Sequence, residues 1–333
     1  MRKGYGVKLA LLLFAIAPAF AAPAFAAVDG VIVNGTTGKL EPDTVVTLIQ
    51  PTQAGMQTLG TTKTDAQGKF SFDNNDDQAP RLIQAVFHGV QYNKMVAPGM
   101  PSTGVQIPVF DSTNKAGTAK ETQHFIVLQP GDKEMTVSEG LLYTGPANLT
   151  YYDPVNGSVR FYVPPEAKGP VTVTVNPAGG MPIPRPALKT KDPDIYKIDY
   201  PVRPGDTRFD VNYTVPTTSP MIFTDKEIHP EASSNLVVPN GVTVKSDDLE
   251  LLGVEPKTKA SVYRIKNANF KLEVDGLGIV AGAGQSEGSG DDNGQPQVQE
   301  VKPRIYESMY WILGMAFAIL GLGSLLLARN SAK

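Results

Sequence analysis

The sequence predicts an all-β protein: tandem antiparallel β-sandwiches followed by a C-terminal transmembrane helix. Three observations predict it. From Val28 to Val274 short segments alternate apolar and polar residues with period two, rich in β-branched and aromatic side chains and punctuated by turn residues every 8 to 12 positions. No amphipathic helical stretch interrupts them. The 21 residues of 308–328 then run without a charge, long enough as a helix to cross the roughly 30 Å of a bilayer core.

The chain opens with Arg2, Lys3 and Lys8, an uncharged run from Leu9 through Ala22, and Ala24-Phe25-Ala26 before Ala27. A basic start, an apolar middle and small residues at the cleavage positions read as a secretory signal peptide over 1–26. After it come short strands at Val31–Val33, Val45–Ile49, Lys69–Phe72, Leu82–Phe87, Tyr92–Val96 and Val105–Phe110. Turns such as Asn34-Gly35 and Asp65-Ala66-Gln67-Gly68 separate them. In the second turn Asp65 caps and Gly68 takes positive φ, so that Phe70 and Phe72 share one face.

Residues Gly30–Gly38, Val45–Leu48 and above all Thr64-Asp65-Ala66-Gln67-Gly68-Lys69-Phe70-Ser71-Phe72 resemble the carboxypeptidase regulatory-like domain of the transthyretin-like sandwiches. The resemblance covers 27–113. It implies a regulatory-like, transthyretin-like sandwich that is noncatalytic and serves stability or recognition at the front of an exported bacterial protein. Glu41-Pro42-Asp43 departs from the family's shorter turn.

Residues 118–275 continue the β pattern at Phe125–Leu128, Glu134–Val137, Val159–Val163, Val171–Val175, Phe209–Val215, Leu236–Val238, Val242–Val244 and Phe270–Val274. This region reads as one or two Ig-like sandwiches. Asn156–Pro164 and Gly205–Pro216 look like imperfect copies of one unit, and the proline-rich stretch Pro177–Pro186 reads as an extended connector or strand-edge crossover. Residues 276–303, rich in Gly, Ser, Asp and Gln, form a stalk with a reach of roughly 25–30 Å. Tyr306, Tyr310 and Trp311 stand at the entry to the apolar run, and 329–333 form a basic cytoplasmic tail. The bulk of the chain is therefore expected on the extracytoplasmic side, tethered by one helix.

Without cysteine, thiol catalysis, disulfides and cysteine-based metal sites are excluded. Between signal and anchor, 25 Lys and Arg stand against 33 Asp and Glu, a net charge of −8 that speaks against nucleic acid as a partner. His88, His124 and His229 occupy unrelated segments with no carboxylate at ligand spacing, and no nucleophile elbow, phosphate loop or dinucleotide fingerprint occurs. The sequence thus predicts no catalytic residue and no cofactor.

Asp73, Asp76 and Asp77 offer oxygens to a calcium ion, but without the spacing or glycine of a calcium loop they read as a solvated hairpin tip. Two tyrosine groups remain as binding candidates: Tyr143, Tyr151 and Tyr152, and Tyr196 with Tyr200. Exposed, they would suit a protein or a cell-surface glycan; half-buried at strand ends, they would be structural. The expected function is a noncatalytic cell-envelope protein that binds envelope proteins or a surface polymer, with a metal-assisted hydrolase the least favoured reading.

Overall fold

The computed structural model describes residues 28–73, 78–218 and 220–280, all within one compact unit. They are all-β. The proposed signal peptide, the stalk beyond 280, the apolar run 308–328 and the tail lie outside the described residues, as do Asp76 and Asp77.

The first seven strands are β1 (Val28–Asn34), β2 (Val45–Thr52), β3 (Gly55–Lys63), β4 (Lys69–Phe72), β5 (Arg81–Phe87), β6 (Val90–Val96) and β7 (Val105–Val109). They form a three-stranded sheet, β4-β1-β7, and a four-stranded sheet, β3-β2-β5-β6. Alternate residues of both sheets enter one apolar core: Val28 and Ile32 from β1, Val46 and Leu48 from β2, Phe70 and Phe72 from β4, Ile83 and Ala85 from β5. The turn before β4 is built as its residues dictate. Asp65 Oδ1 accepts the Gln67 and Lys69 N–H groups at 2.9 and 2.8 Å, and Gly68 sits at φ +69°.

Ten strands follow: β8 (Ser112–Thr113), β9 (Lys120–Pro130), β10 (Glu134–Gly145), β11 (Thr150–Tyr151), β12 (Val159–Tyr162), β13 (Lys168–Pro177), β14 (Ile183–Pro186), β15 (Leu188–Lys189), β16 (Ile195–Ile198) and β17 (Gly205–Pro216). The last six are β18 (Met221–Lys226), β19 (Ser233–Val238), β20 (Thr243–Lys245), β21 (Leu249–Val254), β22 (Ser261–Ile265) and β23 (Asn269–Asp275). An eight-stranded sheet runs β14-β13-β17-β10-β9-β19-β22-β21, with smaller sheets β12-β16-β15, β18-β23-β20 and β11-β8. Buried apolar residues from Ala119 to Val274 join in one continuous core, which includes Leu141, Phe161, Phe209, Phe223 and Leu272.

The structure departs from the sequence reading in three ways. Pairing is not wholly antiparallel: β1–β7, β8–β11 and β9–β19 are parallel. The two segments taken as copies of one unit lie in different sheets, β12 with four residues in a small one and β17 with twelve near the middle of the large one. The proline-rich connector is a hairpin that returns as β14 along β13, a strand edge where missing N–H groups cost nothing.

Candidate functional site

Buried titratable groups from several strands meet inside the second core. β9 and β10 form a hairpin whose turn is closed by the Gly131 N–H on the Glu134 carbonyl at 2.9 Å, and β17 and β19 flank the pair. The inward frame of β10 is Met135, Val137, Glu139, Leu141 and Tyr143; that of β9 includes His124, Ile126 and Leu128; that of β18 is Met221, Phe223 and Asp225. Each strand therefore places an ionisable residue in line with core residues: Glu139 between Val137 and Leu141, His124 two before Ile126, and Asp225 two after Phe223. Glu139, His124, Glu121 and Asp225 are 3%, 7%, 6% and 6% exposed.

Buried charge is tolerated when it is paired and hydrogen-bonded. His124 Nε2 lies 3.2 Å from Glu139 Oε2, and its Nδ1 faces Glu121 Oε1 at 3.6 Å. The Tyr213 hydroxyl donates to Glu139 Oε1 at 2.6 Å, and the Tyr143 hydroxyl donates to Glu121 Oε2 at 3.1 Å. Asp225 accepts the Lys226 N–H at 2.6 Å through Oδ1, while its Oδ2 has no hydrogen-bond partner.

Burial pulls the His124 imidazole down, but the hydrogen bond and charge of Glu139, with Glu121 and Asp225 behind it, outweigh burial and lift it to about 9. Burial drives Glu121 up to about 7 against the pull of His124 and the Tyr143 hydroxyl. Asp225 is pushed well above the usual carboxylate range, first by burial and then by the charge of Glu139. Burial also raises Glu227, an effect opposed by Ser234 and His124. His124 therefore holds its proton more tightly than a free imidazole does, and burial resists ionisation of Asp225 beside it. The hydrogen bonds of the cluster tie β9, β10 and β17 of the eight-stranded sheet together.

This arrangement corrects the expectation that the histidines stand apart from carboxylates. His124 is clasped by two of them, and His229 joins the periphery. The His229 ring meets Tyr143 edge-on at 6.0 Å, and its Nδ1 lies 3.6 Å from Glu231. Among the described residues no group of three or more His, Asp or Glu is arranged to hold a metal ion. His88 lies elsewhere, stacked on Phe87 with centroids 3.9 Å apart.

The candidate tyrosines are dispersed. Tyr143 belongs to the buried cluster, and Tyr151 is buried on β11. Tyr200 is buried with Arg185 and Arg203 at 5.3 and 5.4 Å from its ring centroid. Tyr196 is half-buried, stacked on Phe161 at 5.9 Å, and Tyr152 is half-buried against the first core. Tyr143, Tyr151 and Tyr200 therefore present no open aromatic surface. Asp73 is exposed beside β4. The cluster residues themselves had a sequence signal, an acid or histidine inside an otherwise apolar period-two frame, which the sequence reading passed over.

No family model and no curated protein sequence matches the chain. Among solved structures it is similar to the M1 zinc metallopeptidase of Deinococcus radiodurans. A mutant of that enzyme shares 10% identity at a TM-score of 0.28, covering 47% of this chain and 42% of that one. The same mutant bound to a Tyr-Ser-Ala substrate gives 12% and 0.28 over 47% and 42% of the two chains, and the unmutated enzyme 12% and 0.27 over 49% and 43%. The chain thus spans about two fifths of those proteins, and a likeness of this size carries no argument about fold or function.

Proposed function

We propose that this chain is a noncatalytic cell-envelope protein: exported, tethered by its C-terminal apolar segment, and presenting a regulatory-like sandwich followed by an Ig-like one as a scaffold for envelope proteins. The observation that carries the reading is where the reactive groups are spent. Glu121, His124 and Glu139 are buried and turned on one another and on Tyr143 and Tyr213, which ties β9, β10 and β17 together within the eight-stranded sheet. Recognition then falls to the outer faces and strand edges, as in other scaffolds whose function is grafted on a β framework.

The test is photo-crosslinking of the full chain in its native membrane, with the photoreactive group placed at exposed positions such as Met95, Val155 and Met181. Discrete adducts to envelope proteins are expected, unchanged in Glu139→Gln. Retention on cell-surface polysaccharide without protein adducts, or a hydrolytic activity abolished by Glu139→Gln, would overturn the reading.

A further inference from the structure

Four Asn-Gly pairs occur in the chain, at 34–35, 156–157, 240–241 and 293–294, and the last lies outside the described residues. Asparagine followed by glycine is prone to modify itself, because a residue without a Cβ lets its backbone nitrogen reach the carboxamide carbon. The fold decides which pair is free to react, since the carboxamide and the attacking N–H must both leave any partner they hold.

At 34–35 and 156–157 both reacting groups are tied. Asn34 is 2% exposed; its Nδ2 donates to Glu41 Oε1 at 2.8 Å and to Asp111 Oδ1 at 3.0 Å, and the Gly35 N–H donates to the Val109 carbonyl at 2.7 Å. Asn156 is exposed, but its Nδ2 donates to Asp153 Oδ2 at 3.0 Å and the Gly157 N–H donates to the Asp153 carbonyl at 2.8 Å. Asn240 and Gly241 are the exposed centre of a turn from Pro239 to Val242, closed by the Val242 N–H on the Pro239 carbonyl at 3.2 Å. Among the described residues neither the Asn240 carboxamide nor the Gly241 N–H has a hydrogen-bond partner.

We propose that Asn240 is a site of intramolecular deamidation. The Gly241 nitrogen gives its proton to water and attacks Asn240 Cγ; a C–N bond forms, the Cγ–Nδ2 bond breaks, and ammonia leaves with a proton from water. A second water opens the cyclic imide at either carbonyl, which restores the Gly241 N–H and leaves aspartate or isoaspartate at position 240. Asparagine and water are consumed, the acid and ammonia are formed, and nothing is oxidised. The product bears on the fold because 276–278 crosses this turn at glycine distance. A Cβ on Gly278 would stand 3.0 Å from the Asn240 carbonyl oxygen, and one on Gly276 2.2 Å from the Gly241 carbonyl oxygen. Isoaspartate adds a methylene to the main chain and a carboxylate to the turn, so the covering segment, held by the Gly278 N–H on the Pro130 carbonyl at 3.1 Å, must shift. The inference goes beyond the scaffold reading and stands whether or not an envelope partner is found.

The test ages the full-length protein in mildly alkaline buffer, folded or in urea. Mass spectrometry follows the peptides that contain Asn34, Asn156 and Asn240 for a gain of about 1 Da and for isoaspartate. In urea the three pairs should react at similar rates, because each asparagine precedes glycine. In the folded protein Asn240 should react roughly tenfold or more faster than the other two, whose hydrogen bonds must break first. Hydrogen exchange over 276–280 should rise with the isoaspartate fraction in wild type and stay flat in Asn240→Gln. Two results would overturn the proposal: a folded Asn240 that does not outpace both other sites by more than the spread seen in urea, or exchange over 276–280 that is the same in the aged wild type and in Asn240→Gln.

Discussion

A glutamate at 139 costs the core its desolvation and returns it through two partners, the His124 imidazole and the Tyr213 hydroxyl. Replacing its carboxylate should cost more than the pair contributes, because the buried His124 ring would lose its 3.2 Å hydrogen-bond partner and Tyr213 the acceptor of its hydroxyl. Glu139→Gln is therefore expected to lower stability by about 3 kcal/mol, read as a shift of the denaturant midpoint at unchanged slope. The same cluster sets the pH response. Glu121 and His124 both hold their protons more tightly folded than unfolded, so each adds stability that is complete below its unfolded value and lost as pH rises through its folded one. For Glu121 the loss runs from about 4.5 to about 7, and for His124 from about 6.5 to about 9. Asp225 acts in the same direction, and Glu139 and Glu227 are the other acids facing His124. Thermal melts of the intact protein should fall by roughly 5–10 °C from mildly acidic to mildly alkaline pH. In His124→Asn the part of that fall between about pH 6.5 and 9 that belongs to the imidazole should disappear, leaving the part that belongs to the buried carboxyls Glu121, Asp225 and Glu227.

At the scale of the strand, the close approach of backbones decides which glycines are fixed. Gly30 sits mid-way along β1, opposite Val105 of β7 on one side and Phe70 of β4 on the other. A Cβ there would stand 2.0 Å from the Val105 carbonyl oxygen and 2.8 Å from Phe70 Cζ, so Gly30→Ala must push β7 or Phe70 aside, at a cost of roughly 3 kcal/mol. Gly38→Ala meets nothing within 4 Å and bears only its positive φ of +72°, so about 1 kcal/mol is expected. Equilibrium unfolding of the two variants side by side distinguishes steric from conformational cost. The strands were the legible part of this protein, because an alternation such as Val45–Ile49 or Phe209–Val215 names both the element and its buried face. The site was not, and β10 shows why. Its frame runs from Met135 to Tyr143 through Glu139, and a polar residue in an apolar frame reads as a strand end, so only Glu134–Val137 was recognised. β18, with Asp225, went unread behind Pro220. Even a complete strand list would not have placed His124 beside Glu139 and Asp225, since period two specifies a face and leaves open which distant strands share it.

Across the whole described molecule, the two apolar cores are joined by a narrow set of polar and aromatic contacts. The Arg203 guanidinium lies between the rings of Tyr92, in the first core, and Tyr200, in the second, at 5.6 and 5.4 Å from their centroids. Its Nε donates to the Gln91 carbonyl at 3.1 Å and its Nη1 to the Tyr200 hydroxyl at 3.0 Å. Nearby the Tyr92 hydroxyl donates to the Phe110 carbonyl at 3.0 Å and meets the Thr150 hydroxyl at 2.8 Å. Burial raises Tyr92 above the usual phenol range, so that hydroxyl stays protonated and able to donate at any physiological pH. β8 and β11 add a two-stranded parallel stitch, and the Thr36 hydroxyl reaches the Asn148 carbonyl at 2.6 Å. Each core is large enough to fold on its own account, so cooperation between them depends on this seam. Calorimetry of the wild-type chain should show one transition for residues 28–280. Arg203→Ala removes two cation–π contacts and the hydrogen bonds that hold β6 to the second core, about 2–3 kcal/mol in all, and should split the endotherm in two. One endotherm with a merely lowered midpoint would place the coupling in the β8–β11 stitch instead. Thr150→Val, which takes the partner from Tyr92 at that stitch, would then be the variant that splits it.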